Sequence, residues 1–149
     1  MLTHVYVEVD KIIASEGVRT YGYVVEAERE GDAPNHTVEG FGSVRTTSRG
    51  AYLAGLAAAL GRFRKAAEVH VHMADAWLLG CMENAVDNWA ANDWKTKNGK
   101  PVKHREYWER IREAKRSLFL VPEAERYSAY SKWLLAEIAK RVPKEDEDV

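Results

Sequence analysis

The sequence of 149 residues contains a single cysteine, Cys81. An internal disulfide framework is therefore excluded, and a lone thiol fits a reducing compartment. Cys81 falls in an apolar helical pattern, which suits a buried structural thiol better than a nucleophile. No apolar run approaches the roughly 20 residues that a membrane-spanning helix needs, and no membrane partner is expected. The N-terminus lacks a basic segment followed by a long apolar stretch, so no secretory signal is expected and a cytoplasmic location is. Net charge is also scarce: 22 Lys and Arg stand against 23 Asp and Glu, giving −1. Internal repeats are absent, and low complexity is confined to the acidic C-terminus. Against these absences stands a hydrophobic fraction of 46% that includes five Trp. That is enough for one sizeable core. The expected organisation is one domain over residues 1–143 with a disordered acidic tail over 144–149.

Periodicity predicts an α/β domain. Val5, Val7 and Val9 alternate with Tyr6, Glu8 and Asp10, which reads as a strand. A loop follows to residue 20. Residues 21–27, rich in β-branched and aromatic types, and 36–44, weakened by Gly40 and Gly42, read as two further strands in an antiparallel meander. Thr46, Thr47 and Ser48 suit an N-cap, and Leu53, Leu56, Leu60 and Phe63 follow at helical spacing. Residues 68–73 read as a strand in which His70 and His72 alternate with apolar neighbours. Two His at that spacing with no third ligand nearby are weak grounds for a metal site, and none is expected there. A helix over 76–91 carries Leu78, Met82, Val86 and Trp89 on one face. After a polar turn comes a helix over about 104–115, then a short strand over 117–121. Pro122 can open a last helix, with Tyr127, Leu134 and Ile138 on one side, running to about residue 141.

The polar turn is the most distinctive stretch. Trp89 and Trp94 stand five apart, and Lys95, Lys97, Lys100, Lys103 and Arg105 follow with no intervening acid. Asn98, Gly99 and Pro101 supply the turn, and Tyr107 and Trp108 lead the next helix. Local positive charge beside planar side chains suits a polyanion with accessible sugars or bases. A solvated helix–turn–helix corner with tryptophans in the core is the plainer reading. The order Trp89, Trp94-Lys95-Thr96, Lys100-Pro101-Val102-Lys103 and Trp108 resembles the type 1 ribonuclease H family in its form with a basic protrusion. His104 stands where that family usually has Asn. Arg45-Thr46-Thr47 ahead of an apolar helix, and the strand ending at Asp10, resemble further segments. The resemblance covers roughly residues 5–115 and weakens beyond.

The resemblance implies a ribonuclease H-like fold: a mixed five-stranded sheet, three antiparallel strands then parallel ones, flanked by helices. It implies hybrid binding, with Thr47 at a phosphate-contacting position and Trp89, Trp94, Lys95, Lys97, Lys100 and Lys103 as the binding surface. It also implies a two-metal nuclease built on four acids, with Mg²⁺ or Mn²⁺ as cofactor if the site is active. Only Asp10 matches directly. Tyr52, Ala74 and Ser128 fall at the other three positions, with Asp75 a possible substitute or simply a helix cap. Glu123 and Glu125 are candidates to approach Asp10. The loop after Asp10 holds only Gly17 where the family has a glycine-rich turn. The leading expectation is a binder of RNA–DNA hybrids or other duplexes that is catalytically impaired, with no cofactor. The alternatives are an active Mg- or Mn-dependent hybrid endoribonuclease with rearranged carboxylates, and a protein-interaction module, for example a homodimer, on a repurposed fold.

Overall fold

The computed structural model describes residues 2–144. Apart from Lys144, the expected acidic tail lies outside the described residues. The strands β1 (Leu2–Val9), β2 (Gly17–Ala27), β3 (His36–Thr46), β4 (Ala67–Met73) and β5 (Leu118–Ala124) form one sheet in the order β3-β2-β1-β4-β5. β1, β2 and β3 pair antiparallel, whereas β4 pairs parallel with both β1 and β5. The helices are α1 (Ser48–Leu60), α2 (Ala76–Gly80), α3 (Val86–Ala91), α4 (Arg105–Ala114) and α5 (Ser131–Ala139). A π-helical stretch, Cys81–Ala85, joins α2 to α3, so the helix expected over 76–91 contains a π-bulge. The expected mixed five-stranded sheet with flanking helices is therefore present. Among the described residues no helix is long and apolar enough to cross a membrane.

Strand alternation sorts the side chains. Val5, Val7 and Val9 point into the main core, against Leu53 and Leu56 of α1 and Val69, Val71 and Met73 of β4. Leu78, Met82, Val86, Trp108 and Ile111 complete that layer. Burying each of the larger side chains contributes about 1.5–3 kcal/mol. Alanines at 51, 54, 57 and 59 let α1 lie close to the sheet. At Gly55 an added Cβ would come within 2.9 Å of Val7. Tyr6 and Val24 face the other way and pack with Leu134 of α5 in a smaller cluster.

Two sequence expectations need correction. β2 begins at Gly17, four residues earlier than its apolar run, because the whole of β3 pairs with it from Gly17 opposite Thr46 to Ala27 opposite His36. The glycines at 40 and 42 make room there, since the rings of Tyr23 and Tyr21 occupy the space a Cβ would need. The second correction concerns Pro122. It opens no helix but lies within β5, and the last helix starts only at Ser131. β5 is an edge strand, where a missing N–H need not break the ladder. The pairing with β4 continues past Pro122 to Met73 opposite Ala124, and Glu123 also reaches His70 of β4 at 2.8 Å. Tyr127 lies ahead of the helix and is exposed, while Leu134 and Ile138 face inward as expected.

Candidate nucleic-acid interface

Thr47 caps α1: its extended backbone lets Oγ1 accept from the Gly50 N–H at 3.2 Å. The same hydroxyl lies 3.4 Å from His104 Nε2. Gly50 permits this approach, because a Cβ there would collide with Thr46 and come within 2.8 Å of the His104 ring. His104 itself is left-handed, with φ 61°. Burial, and then the neighbouring Lys103 charge, hold its pKa below the ordinary imidazole range, with Glu106 opposing.

The basic stretch folds into a small hairpin. Asp93 and Trp94 are both left-handed, and the Trp94 N–H donates to the Trp89 carbonyl at 2.7 Å. Lys95 and Pro101 form an antiparallel bridge. Thr96 N–H donates to the Lys100 carbonyl at 2.8 Å, and Gly99, at φ 78°, turns the tip. Trp89 packs edge-to-face on Trp108 with centroids 5.5 Å apart. The lysines thus ride on an ordered element anchored by the half-buried Trp89 and Trp94 indoles and the buried Trp108.

A cleft of about 570 Å³ lies between this hairpin and the start of α1. Lys100, Lys103 and His104 line one side, and Thr47, Arg49 and Tyr52 the other. The structure therefore brings together Thr47, Trp89, Lys100 and Lys103. Lys95 and Lys97 are exposed on the hairpin but do not line the cleft. Trp94 is half-buried against the core, with the Arg105 guanidinium 5.6 Å from its ring centre. Sequence reasoning missed Trp77 and Arg49. Trp77 is 53% exposed and lines the cleft. Arg49 stacks over it at 4.4 Å and donates Nε–H to Asp75 Oδ2 at 2.9 Å. The available signal was that Trp77 falls off the Leu78, Met82 and Val86 stripe, where a large aromatic has no core to fill.

The acid positions sort unexpectedly. Asp10 Oδ1 accepts from the Thr20 N–H of β2 at 3.1 Å, and its Oδ2 is buried without a hydrogen-bond partner. Glu8, two residues earlier on the same strand face, accepts from Ser131 Oγ at 2.5 Å. Ser128 hydrogen-bonds Ser131 at 3.2 Å. The register of β1 on β4 runs from Leu2 opposite Glu68 to Tyr6 opposite His72, and continued two residues it brings Glu8 level with Ala74. Tyr52 is buried, with its hydroxyl near both Glu8 and Asp75. Glu8, rather than Asp10, is thus the carboxylate gathered with Tyr52 and the two serines. Burial raises the Glu8 pKa, with Glu125 adding to the effect and the Ser131 hydrogen bond opposing it. Burial, then Glu8 and Asp75, push the Tyr52 phenol upward, so it stays neutral. Glu123 and Glu125 pair with His70 and His72.

Asp75 caps α2, accepting from the Leu78 N–H at 3.1 Å while it pairs with Arg49. Replacing it with Ala should cost about 1 kcal/mol in chemical denaturation, whereas Asn, an equally good cap, should cost a few tenths. Two hard divalent cations require clustered oxygen donors. Here one desolvated glutamate is hydrogen-bonded by a serine, with a neutral phenol within its field and an alanine where the strand register would place a third acid. Among the described residues no three His, Cys, Asp or Glu side chains could hold one ion. These residues do not fit a two-metal centre.

No family model matches the chain. Curated relatives named Ribonuclease H do. The protein from Rhizobium meliloti (strain 1021) is 31% identical over 74 residues, which is 50% of this chain and 48% of that protein. The one from Cereibacter sphaeroides (strain ATCC 17029 / ATH 2.4.9) is 33% identical over 85 residues, 56% of each. The chain spans about half the length of the curated relatives it matches. Among solved structures, LC9-RNase H1, described as a type 1 RNase H with the type 2 active-site motif, superposes with a TM-score of 0.74 at 18% identity. That match covers 93% of this chain and 71% of the other. LC11-RNase H1, solved in complex with RNA/DNA hybrid, superposes with a TM-score of 0.62 at 19% identity, covering 95% and 99%. The chain has the ribonuclease H-like fold and resembles the type 1 ribonuclease H family.

Proposed function

We propose that this chain is a ribonuclease H-like nucleic-acid-binding protein that takes an RNA–DNA hybrid or a similar duplex and is impaired in cleaving it. The observation that carries the reading is the cleft in which a capped helix N-terminus and a lysine hairpin face each other. The positive end of the α1 dipole suits phosphate oxygens, although its Ser48 and Gly50 N–H groups already donate to the Ile13 carbonyl and Thr47 Oγ1. Lys100 and Lys103 supply point charges opposite Thr47, and Trp77 offers an exposed planar face beside them. Such a surface recognises backbone shape and charge more than base sequence. Impairment follows from the donors around Glu8. A raised-pKa glutamate beside a neutral Tyr52, Ala74 and Ser131 leaves divalent cations too few oxygens to exchange for their hydration shells.

A second reading has its own observation. Asp10 Oδ2 is a buried oxygen without a partner, an atom that a cation would satisfy. An active Mg- or Mn-dependent endoribonuclease would then use Asp10 with rearranged neighbours.

One experiment separates the two. A labelled RNA–DNA hybrid is incubated with the protein in Mg²⁺ and in Mn²⁺, beside Asp10→Asn and Glu8→Gln, and bound fraction is titrated against salt. Salt-dependent binding without cleavage in either metal is expected. Cleavage that vanishes in Asp10→Asn would establish the second reading. Neither binding nor cleavage would leave the fold serving a protein partner.

A further inference from the structure

The sheet face opposite α1 is only partly covered by α5, and β1 and β4 present three histidines on it. Along the sequence, His70 and His72 look like the pair. The parallel register changes which imidazoles meet: His4 lies opposite His70, and Tyr6 opposite His72. His4 Nδ1 comes within 3.0 Å of His72 Nε2. The distal nitrogen of each ring is on a carboxylate. His4 Nε2 is 2.9 Å from Glu28 Oε1, and His72 Nδ1 is 2.7 Å from Glu125 Oε1. An ionised carboxylate only accepts, so the protons sit on those two distal nitrogens. His4 Nδ1 and His72 Nε2 then face each other across 3.0 Å, a contact that needs either one further proton on one ring or a shared cation. His70 does not relieve them, since its nitrogens are taken by Glu123 and Glu68.

Facing lone pairs repel unless something positive holds them. In histidine metal sites the ligating imidazoles aim one nitrogen at the ion and donate the other N–H to carboxylates, which form the outer shell. Two nitrogens bound about 2.0–2.1 Å from one ion at near-tetrahedral or smaller angles stand roughly 3 Å apart. The Tyr6 ring stacks on His72 at 4.3 Å and 18°, fixing its orientation. The His4 and His72 side chains are 14% and 13% exposed, so the pair lies near the surface. Glu28, Glu68, Glu123 and Glu125 surround them, which favours a cation.

We propose that His4 and His72 form a binding site for one first-row transition-metal ion of the zinc–nickel–copper class, completed by water. Imidazole nitrogen selects these ions over Mg²⁺, which needs oxygen. Among the described residues no third protein ligand converges, so the site is open and its ion exchangeable.

The test is calorimetric titration of Zn²⁺ and Ni²⁺ into the metal-free full chain at pH 7.5, with Mg²⁺ beside. Saturation at one ion per chain is expected with Zn²⁺ and Ni²⁺, and none with Mg²⁺. His4→Gln and His72→Gln should each weaken binding at least tenfold, and Glu125→Gln about tenfold through loss of the group that orients His72. His36→Gln should change nothing. In the unaltered protein, Ni²⁺ should broaden the ring NMR signals of His4 and His72 before those of His36 and His104, a readout that needs no variant to fold. Absence of saturable binding, or broadening led by His36 or His104, would overturn the proposal.

Discussion

Replacing Trp108 with alanine is expected to lower the unfolding free energy by about 3–5 kcal/mol, the range for emptying a large aromatic from a core. The melting temperature should fall by on the order of 10 °C for a domain of this size. Trp108 is only 2% exposed and sits in the main core beside Ile111 and Val102. It is also the wall on which Trp89 rests edge-to-face. The hairpin begins at the Trp89 carbonyl, through the Trp94 N–H. Truncating Trp108 therefore removes stability and loosens the base of the lysine hairpin together. Thermal unfolding followed by circular dichroism reads the first effect. Duplex binding well below the new melting temperature reads the second. A loss under 1 kcal/mol would mean that the α3–α4 corner repacks, and that the hairpin is not braced in this way.

The second large effect concerns binding. The Lys100→Ala, Lys103→Ala double variant should bind hybrid at least about 100-fold more weakly, because each charge-assisted hydrogen bond contributes about 1.5–3 kcal/mol. The slope of log affinity against log salt should drop by about two, one for each phosphate that is no longer neutralised. Both side chains are exposed, so the fold should be unaffected. Lys97→Ala is the internal comparison. It lies on the same hairpin without lining the cleft, so it should alter the slope by less than either cleft lysine. Equal effects from all three would indicate a diffuse electrostatic footprint. No effect from any would remove the cleft as the binding surface.

Much of the fold was legible because its signals are local. Alternation at Val5, Val7 and Val9, the cap at Thr47 and the leucine stripe of α1 each depend on neighbours a few residues away. Pro122 was misread for the same reason. Its local signal favours a helix start, but whether a proline is tolerated in a strand depends on its being at a sheet edge. The limits of β2 were hidden too, since Val18, Arg19 and Thr20 become strand by pairing with β3.

The candidate site was legible only in part. Spacing along the chain identified Thr47, Lys100 and Lys103, which one cleft brings together, and Asp75 as a helix cap. It pointed to Asp10 for the gathered carboxylate, because a motif aligned without gaps counts residues along the chain and is blind to which of them meet in space. The sequence by itself determined the order of strands and helices (though not the limits of β2, β5 and the last helix), which faces are apolar, and that the positive charge is concentrated between Lys95 and Arg105. Tertiary structure alone decided that Glu8 meets Ser131, that Arg49 stacks on Trp77, and that His4 pairs with His72. The physical reason is that each of these pairings joins residues distant in sequence through strand register or helix packing. Neither periodicity nor composition carries register, which the chain settles only when its two hydrophobic faces are buried at once.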